Sequence, residues 1–121
     1  MLLEILSPEF SICQVSTLSN LPDGTIFLAR TDNEISLVCE TDRISFNAAR
    51  RDEGWRCFRV AGELDFSLIG ILSRITAVLA EAGISVFCTS TYETDYIMVK
   101  TAKLYAAIEA LNKAGYETKY L

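Results

Sequence analysis

Four cysteines, at 13, 39, 57 and 88, and a few carboxylates beside turn-like segments are the groups in this 121-residue chain that could do chemistry. The cysteines lie 26, 18 and 31 residues apart with no C-x-x-C pair, so neither a zinc ribbon nor a dithiol redox motif is present. Each stands in an apolar, strand-like run, which predicts buried free thiols in a reducing cytoplasm. The chain has no histidine. That excludes Ser-His-Asp and Cys-His catalysis, histidine metal sites and histidine pH switches. Glu93 and Asp95 flank one turn, but a single carboxylate pair is a thin basis for acid–base chemistry or for holding a metal. Arg50-Arg51 is followed by Asp52-Glu53 and reads as a solvated turn. No glycine-rich phosphate loop exists, and no metal or cofactor is expected.

The elements that must position these groups are clearest in the C-terminal half. Trp55–Val60 is apolar and β-favouring, and Ala61-Gly62 ends it. Leu68, Leu72, Ile75, Leu79 and Ala82 then recur at spacings of three and four, the signature of one apolar helix face. Asp65 or Ser67 is placed to cap that helix, Gly70 falls in its first turn, and Gly83 stops it. Ile84–Thr89 and Tyr96–Lys100 form a hairpin about the polar turn Tyr92–Asp95. Leu104, Ala107, Ile108 and Leu111 mark a second helix ending at Gly115. Tyr116, Thr118 and Tyr120 alternate as a last, edge strand. The order β-α-β-β-α-β is the ferredoxin-like arrangement.

The N-terminal half reads as a thinner version. Phe10–Val15, Thr25–Ala29 and Ile35–Cys39 are strands, Leu18–Gly24 is a loop or one helical turn, and Asp42–Arg51 is a short helix or an irregular linker. Asp52-Glu53-Gly54 is expected as a turn before Trp55. Phe10 and Ile12 match Phe58 and Val60 at an offset of 48, and Glu34 and Val38 match Asp95 and Val99 at 61. The expectation is therefore two related units, residues 1–54 with a shortened first helix and residues 55–121 complete. Net charge is −5, which disfavours nucleic acid and anionic membranes as partners. The N-terminus lacks a basic n-region and a long apolar run, so it does not read as a secretory signal, and no stretch is long enough to span a membrane.

Several runs resemble the small bacterial tandem ACT-domain proteins. They are Ser7-Pro8-Glu9-Phe10-Ser11-Ile12-Cys13, Glu53-Gly54-Trp55-Arg56-Cys57-Phe58, Leu64–Leu72, Ala80–Phe87 and Ser90–Val99. The motifs are similar to those of the CASTOR-type ACT group, which is related to the ACT regulatory domains of aspartate kinases. The resemblance implies an α+β fold of tandem ferredoxin-like units, with antiparallel sheets and helices on one face. It implies a homodimer, a free amino acid bound at an ACT interface, an unidentified protein partner downstream, and no catalysis. Carried over by position, the ligand contacts are Asp65, Phe66, Ser67, Leu68, Ile69 and Gly70, then Ser90, Thr91, Tyr92 and Asp95.

The residues themselves are compatible with that chemistry. A helix start exposes unpaired N–H groups and a partial positive charge, which suit a carboxylate, and glycine there lets a ligand approach the backbone. Asp95 and the carbonyls near Thr91 offer acceptors for an ammonium group, and Asp65 can serve an ammonium or a cationic side chain. Structural roles compete at every position. Asp65 and Ser67 are ordinary caps, Gly70 eases helix–sheet packing, Phe66 and Tyr92 are common packing residues, and Asp95 ends a hairpin. The alternative to a ligand sensor is a module that dimerises or pairs its edge strands without a ligand. A small enzyme is the weakest reading, since no polar cluster in the sequence supplies an acid–base pair.

Overall fold

The computed structural model describes residues 1–64 and 69–121. Among the described residues the strands and α-helices are, in order, β1 (Leu2–Ile5), β2 (Phe10–Val15), β3 (Thr25–Arg30), β4 (Ile35–Glu40), β5 (Arg50–Val60), α1 (Ile71–Glu81), β6 (Val86–Ser90), β7 (Asp95–Lys100), α2 (Leu104–Lys113) and β8 (Glu117–Tyr120). The chain divides into two compact units, Met1–Ser7 with Arg56–Leu121, and Pro8–Trp55.

In the first of these, β5-α1-β6-β7-α2-β8 gives the expected β-α-β-β-α-β order. β7 pairs with both β5 and β6. Both helices cover one face. Ile75 and Leu79 of α1, and Leu104, Ala107 and Leu111 of α2, pack into a core with Phe58, Val60, Ile97 and Val99. A strand not expected from the sequence completes the sheet. β1 lies between β5 and β8, antiparallel to the former (Leu3↔Val60) and parallel to the latter (Leu3↔Thr118). The sheet is therefore mixed and not wholly antiparallel. The period of two explains β1: Leu3 and Ile5 are fully buried, while Glu4 points to the other face and accepts a hydrogen bond from Arg59 Nε at 3.0 Å. β8 is an edge strand, as its alternation suggested.

The long helix begins later than its apolar periodicity predicts. α1 starts at Ile71, and Gly70 is its N-cap at φ 76°. A helix does not propagate back through a left-handed residue, so the glycine sets the boundary and is not part of the first turn. Asp65 and Ser67, expected as caps, lie outside the described residues.

In the Pro8–Trp55 unit, β2 pairs with β4 from Phe10↔Glu40 to Val15↔Ile35, and β3 pairs with β4. Cys13, Val15, Leu37 and Cys39 form its core, with Leu18, Ile35, Ile44, Phe46 and Ala48 packed against them. Leu18–Gly24 is a loop; Asp42 and Arg43 end a 3-10 turn and residues 44–49 are irregular, whereas Arg50-Arg51, expected as a solvated turn, opens β5 and pairs with Gln14 and Cys13. Asp52-Glu53-Gly54 is not a turn; it lies inside β5. The register jumps from Phe10↔Trp55 to Ile12↔Asp52, so two residues oppose Ser11. Gly54, at φ 83°, supplies the left-handed conformation that such a bulge takes.

The two hairpins share a register. Leu28↔Leu37 and Cys88↔Ile97, Ala29↔Ser36 and Thr89↔Tyr96, and Arg30↔Ile35 and Ser90↔Asp95 all correspond at an offset of 60. The sequence-based offset of 61 is one residue out, a slip that would send every side chain to the opposite face. The offset of 48 fails for the same reason. Cys13 and Val15 face their core as Phe58 and Val60 face theirs, which is a shift of 45.

Candidate functional site

The site is built where β6 turns into β7 beside the start of α1. Ser90 and Asp95 are direct cross-strand partners, and Ser90 Oγ donates to Asp95 Oδ1 at 2.5 Å. The four residues from Thr91 to Thr94 make the turn. Thr91 N–H donates to the Thr94 carbonyl at 2.9 Å, and Thr91 Oγ1 donates to the same oxygen at 3.2 Å. Threonine suits this position because its hydroxyl can close the turn that the backbone opens.

Two further bonds tie the turn to the chain leaving β5. Thr94 Oγ1 donates to the Val60 carbonyl at 2.7 Å. Leu64 N–H donates to the Glu93 carbonyl, also at 2.7 Å. The first residues of α1 form the other wall. Among the described residues no side chain caps that helix. The N–H groups of Ile71, Leu72 and Ser73 belong to the turn that has no partners within the helix.

These walls enclose a cavity of about 320 Å³, at the small end of the roughly 300–1,000 Å³ range of ligand pockets. Of the ten residues expected at a site, Gly70, Ser90, Thr91, Tyr92 and Asp95 line it. Ile69 does not, and its side chain is 85% exposed. Asp65, Phe66, Ser67 and Leu68 lie outside the described residues. The sequence reading missed Leu64, Ile71, Leu72, Ser73, Glu93 and Thr94. The helix residues were missed because the start was set too early; a glycine ahead of an apolar-periodic run was the available signal. Thr94 had none, since nothing in a polar turn marks one hydroxyl as buried.

Glu93 and Asp95 are the charged side chains among the described lining residues. Asp95 also acts on Cys88, whose thiol is pushed up first by burial and then by that carboxylate. Burial pushes Cys57 up to about 12 and raises Cys13 and Cys39 as well. All four cysteines are free, and raised values hold them as thiols, not as nucleophilic thiolates. Among the described residues no three His, Cys, Asp or Glu side chains cluster as metal ligands, and no helix is long and apolar enough to cross a membrane. A wider hollow of about 560 Å³ between α1 and α2 is lined mainly by alanines with Glu81, Glu109 and Lys113. The last two pair with each other at 3.1 Å, so this hollow gathers no comparable set of converging polar groups.

Residues 50–113 match the ACT domain family. A protein from Agrobacterium tumefaciens shares 33% identity over 99% of this chain and 92% of its own, with a TM-score of 0.84. A Vibrio cholerae protein of unknown function shares 21% identity over 90% of this chain and 85% of its own, with a TM-score of 0.71. The aspartate kinase of Clostridium acetobutylicum, an allosteric enzyme, shares the fold at 12% identity and a TM-score of 0.67, over 89% of this chain and 33% of the kinase. No curated protein matches the sequence.

Proposed function

This chain belongs to the ACT domain family, whose members are regulatory and not catalytic modules, and we propose that it is a sensor that binds a free amino acid in the cavity between the β6–β7 turn and the start of α1. One observation carries the reading: a helix start that no described side chain caps lines the same cavity as the β6–β7 turn and Asp95, the first residue of β7. The first-turn N–H groups would hold the ligand carboxylate, helped by the positive end of the helix dipole. Asp95 and the carbonyls of the Thr91 turn would accept from the ammonium group. Gly70 sets the helix start through its left-handed backbone, and Tyr92 and Leu64 would offer apolar surface. By family resemblance, Asp65, Phe66, Ser67, Leu68 and Ile69 complete the contacts on the helix side.

A ligand regulates only through its different affinity for two states. For a regulatory module of this kind, those states would be two arrangements of a homodimer or the free and bound forms with a protein partner in the cytoplasm. The matched registers of the two hairpins support reading the chain as tandem ACT-like units.

The test is a thermal-shift panel of the twenty amino acids at millimolar concentration. A ligand at about 100 times its Kd adds roughly 2.7 kcal/mol, a shift of several degrees. A single strong hit is the expected result. A flat panel with ligand-independent dimers would overturn the sensor reading and leave a ligand-free interaction module.

A further inference from the structure

We propose that Thr94 is a positioning residue of this site, a conclusion that rests on the amino-acid-binding reading above. Thr94 is 8% exposed, yet it sits at the tip of a hairpin whose neighbours Thr91, Tyr92 and Glu93 are all exposed. Its hydroxyl is buried because it donates to the Val60 carbonyl at 2.7 Å. With the bond from Leu64 N–H to the Glu93 carbonyl, it fastens the turn to the chain that leaves β5 and leads on to α1. Leu64 and the turn, which both line the cavity, are thereby held against each other. Asp95 is the next residue, and its carboxylate can meet an ammonium only while the turn keeps that seat. A site held by such second-layer bonds loses affinity when the support loosens by a fraction of an ångström.

The other hairpin shows what the position does elsewhere. At the offset of 60 its counterpart is Glu34, an exposed residue whose carboxylate accepts from Ser36 Oγ. An ionised carboxylate has no proton to donate to a carbonyl, so the same turn there cannot be fastened in this way. The backbone bond that closes the turn is nevertheless identical, Thr31 N–H to the Glu34 carbonyl at 2.9 Å. A hairpin of this design therefore closes without the threonine. The hydroxyl is needed to set where the turn sits, not to form it.

The experiment compares the wild-type chain with Thr94→Val, Thr94→Ser and Thr94→Cys, using as probe the amino acid that gives the largest thermal shift in the twenty-member panel. Calorimetry gives the Kd and unliganded melting gives the Tm. The expected result is a Kd raised about fivefold to tenfold in Thr94→Val, the scale of one lost hydrogen bond, with Thr94→Ser within about threefold of wild type. A Tm that falls in Thr94→Val while the Kd stays at the wild-type value would overturn the proposal, because a purely structural hydroxyl behaves in that way. Should Thr94→Val fail to fold, Thr94→Cys decides: its weak thiol donor should raise the Kd, and an unchanged Kd overturns the proposal. A flat panel for the wild type overturns the binding reading itself, and is distinct from binding that ignores Thr94.

Discussion

Replacing Leu3 with alanine tests the part of the fold that the sequence hid. Leu3 is fully buried, pairs with Val60 of β5 and Thr118 of β8, and packs in the helix-side core. Truncating a buried leucine costs roughly 2.7–5 kcal/mol, because the lost transfer energy is joined by a residual cavity. Unfolding entropy scales at about 2 cal/mol/K per residue, which for a chain of this length is about 0.25 kcal/mol/K. The Leu3→Ala midpoint should therefore fall by about ten degrees or more, a large part of a typical stability of 5–15 kcal/mol. Leu2→Ala is the control. Leu2 lies on the same strand, but is only partly buried and outside that core, so its cost should stay near 1 kcal/mol or below. The assay is thermal melting followed by far-UV circular dichroism, with matched protein concentrations. Equal shifts in the two variants would refute β1 as a core strand and with it the mixed sheet. The consequence reaches the site, since β1 supports the end of β5 whose carbonyl receives Thr94.

Asp95→Asn keeps the shape of the side chain but removes the charge offered to an ammonium group. Ligand affinity should fall by about tenfold or more, the scale of one charge-assisted bond, and unchanged calorimetric affinity would remove Asp95 from the site. The cysteines predict an alkaline instability. Cys57 is pushed from about 9 up to about 12 in the folded chain, so the folded state binds the proton more tightly than the unfolded state. Stability is then full below about pH 9 and falls as pH rises toward 12, with Cys13, Cys39 and Cys88 contributing in the same direction. Melting at successive pH values should show the loss, and Cys57→Ala should flatten it. Binding stoichiometry should be one ligand per chain: in the Pro8–Trp55 unit the counterparts of Ser90 and Asp95 are Arg30 and Ile35, and an aliphatic side chain accepts nothing from an ammonium. A titration saturating at two would refute that.

The parts of the fold legible in the sequence are those where one face is buried and the other is not. Ile75 and Leu79, then Leu104, Ala107 and Leu111, repeat with helical spacing because only one side of each helix meets the core. The second hairpin is legible because polar residues interrupt two apolar runs, although its turn is Thr91–Thr94 and not the expected Tyr92–Asp95, since Asp95 already pairs with Ser90 in the ladder. β1 was hidden because four residues are too short for a periodic signal and because its partners are remote in sequence, at residues 58–60 and 117–120. Asp52-Glu53-Gly54 misled because its composition is that of a turn, while its backbone is a bulged strand. Among the residues that line the cavity, those with a recognisable local role, such as Gly70 and Asp95, were anticipated. Thr94 and Leu64 were missed because their roles exist only through bonds to Val60 and Glu93.

That contrast bears on how two hairpins of one register can differ in chemistry. The ladder is made of backbone groups, and those groups are the same whatever the side chain. Register therefore survives substitution of Ser90-like positions by Arg30 and of Asp95-like positions by Ile35, provided the alternation of faces is kept. A binding site has no such protection. It needs an acceptor at one position, a seated turn at the next, and an open helix start opposite, and each rests on a single residue. The hairpin of the Pro8–Trp55 unit has the same backbone bond closing its turn but lacks two of these requirements, while no helix follows β2 to supply the third. Fold likeness to an allosteric kinase at 12% identity thus says little about ligand binding in either hairpin. The side chains at 30, 34 and 35, against those at 90, 94 and 95, carry that difference.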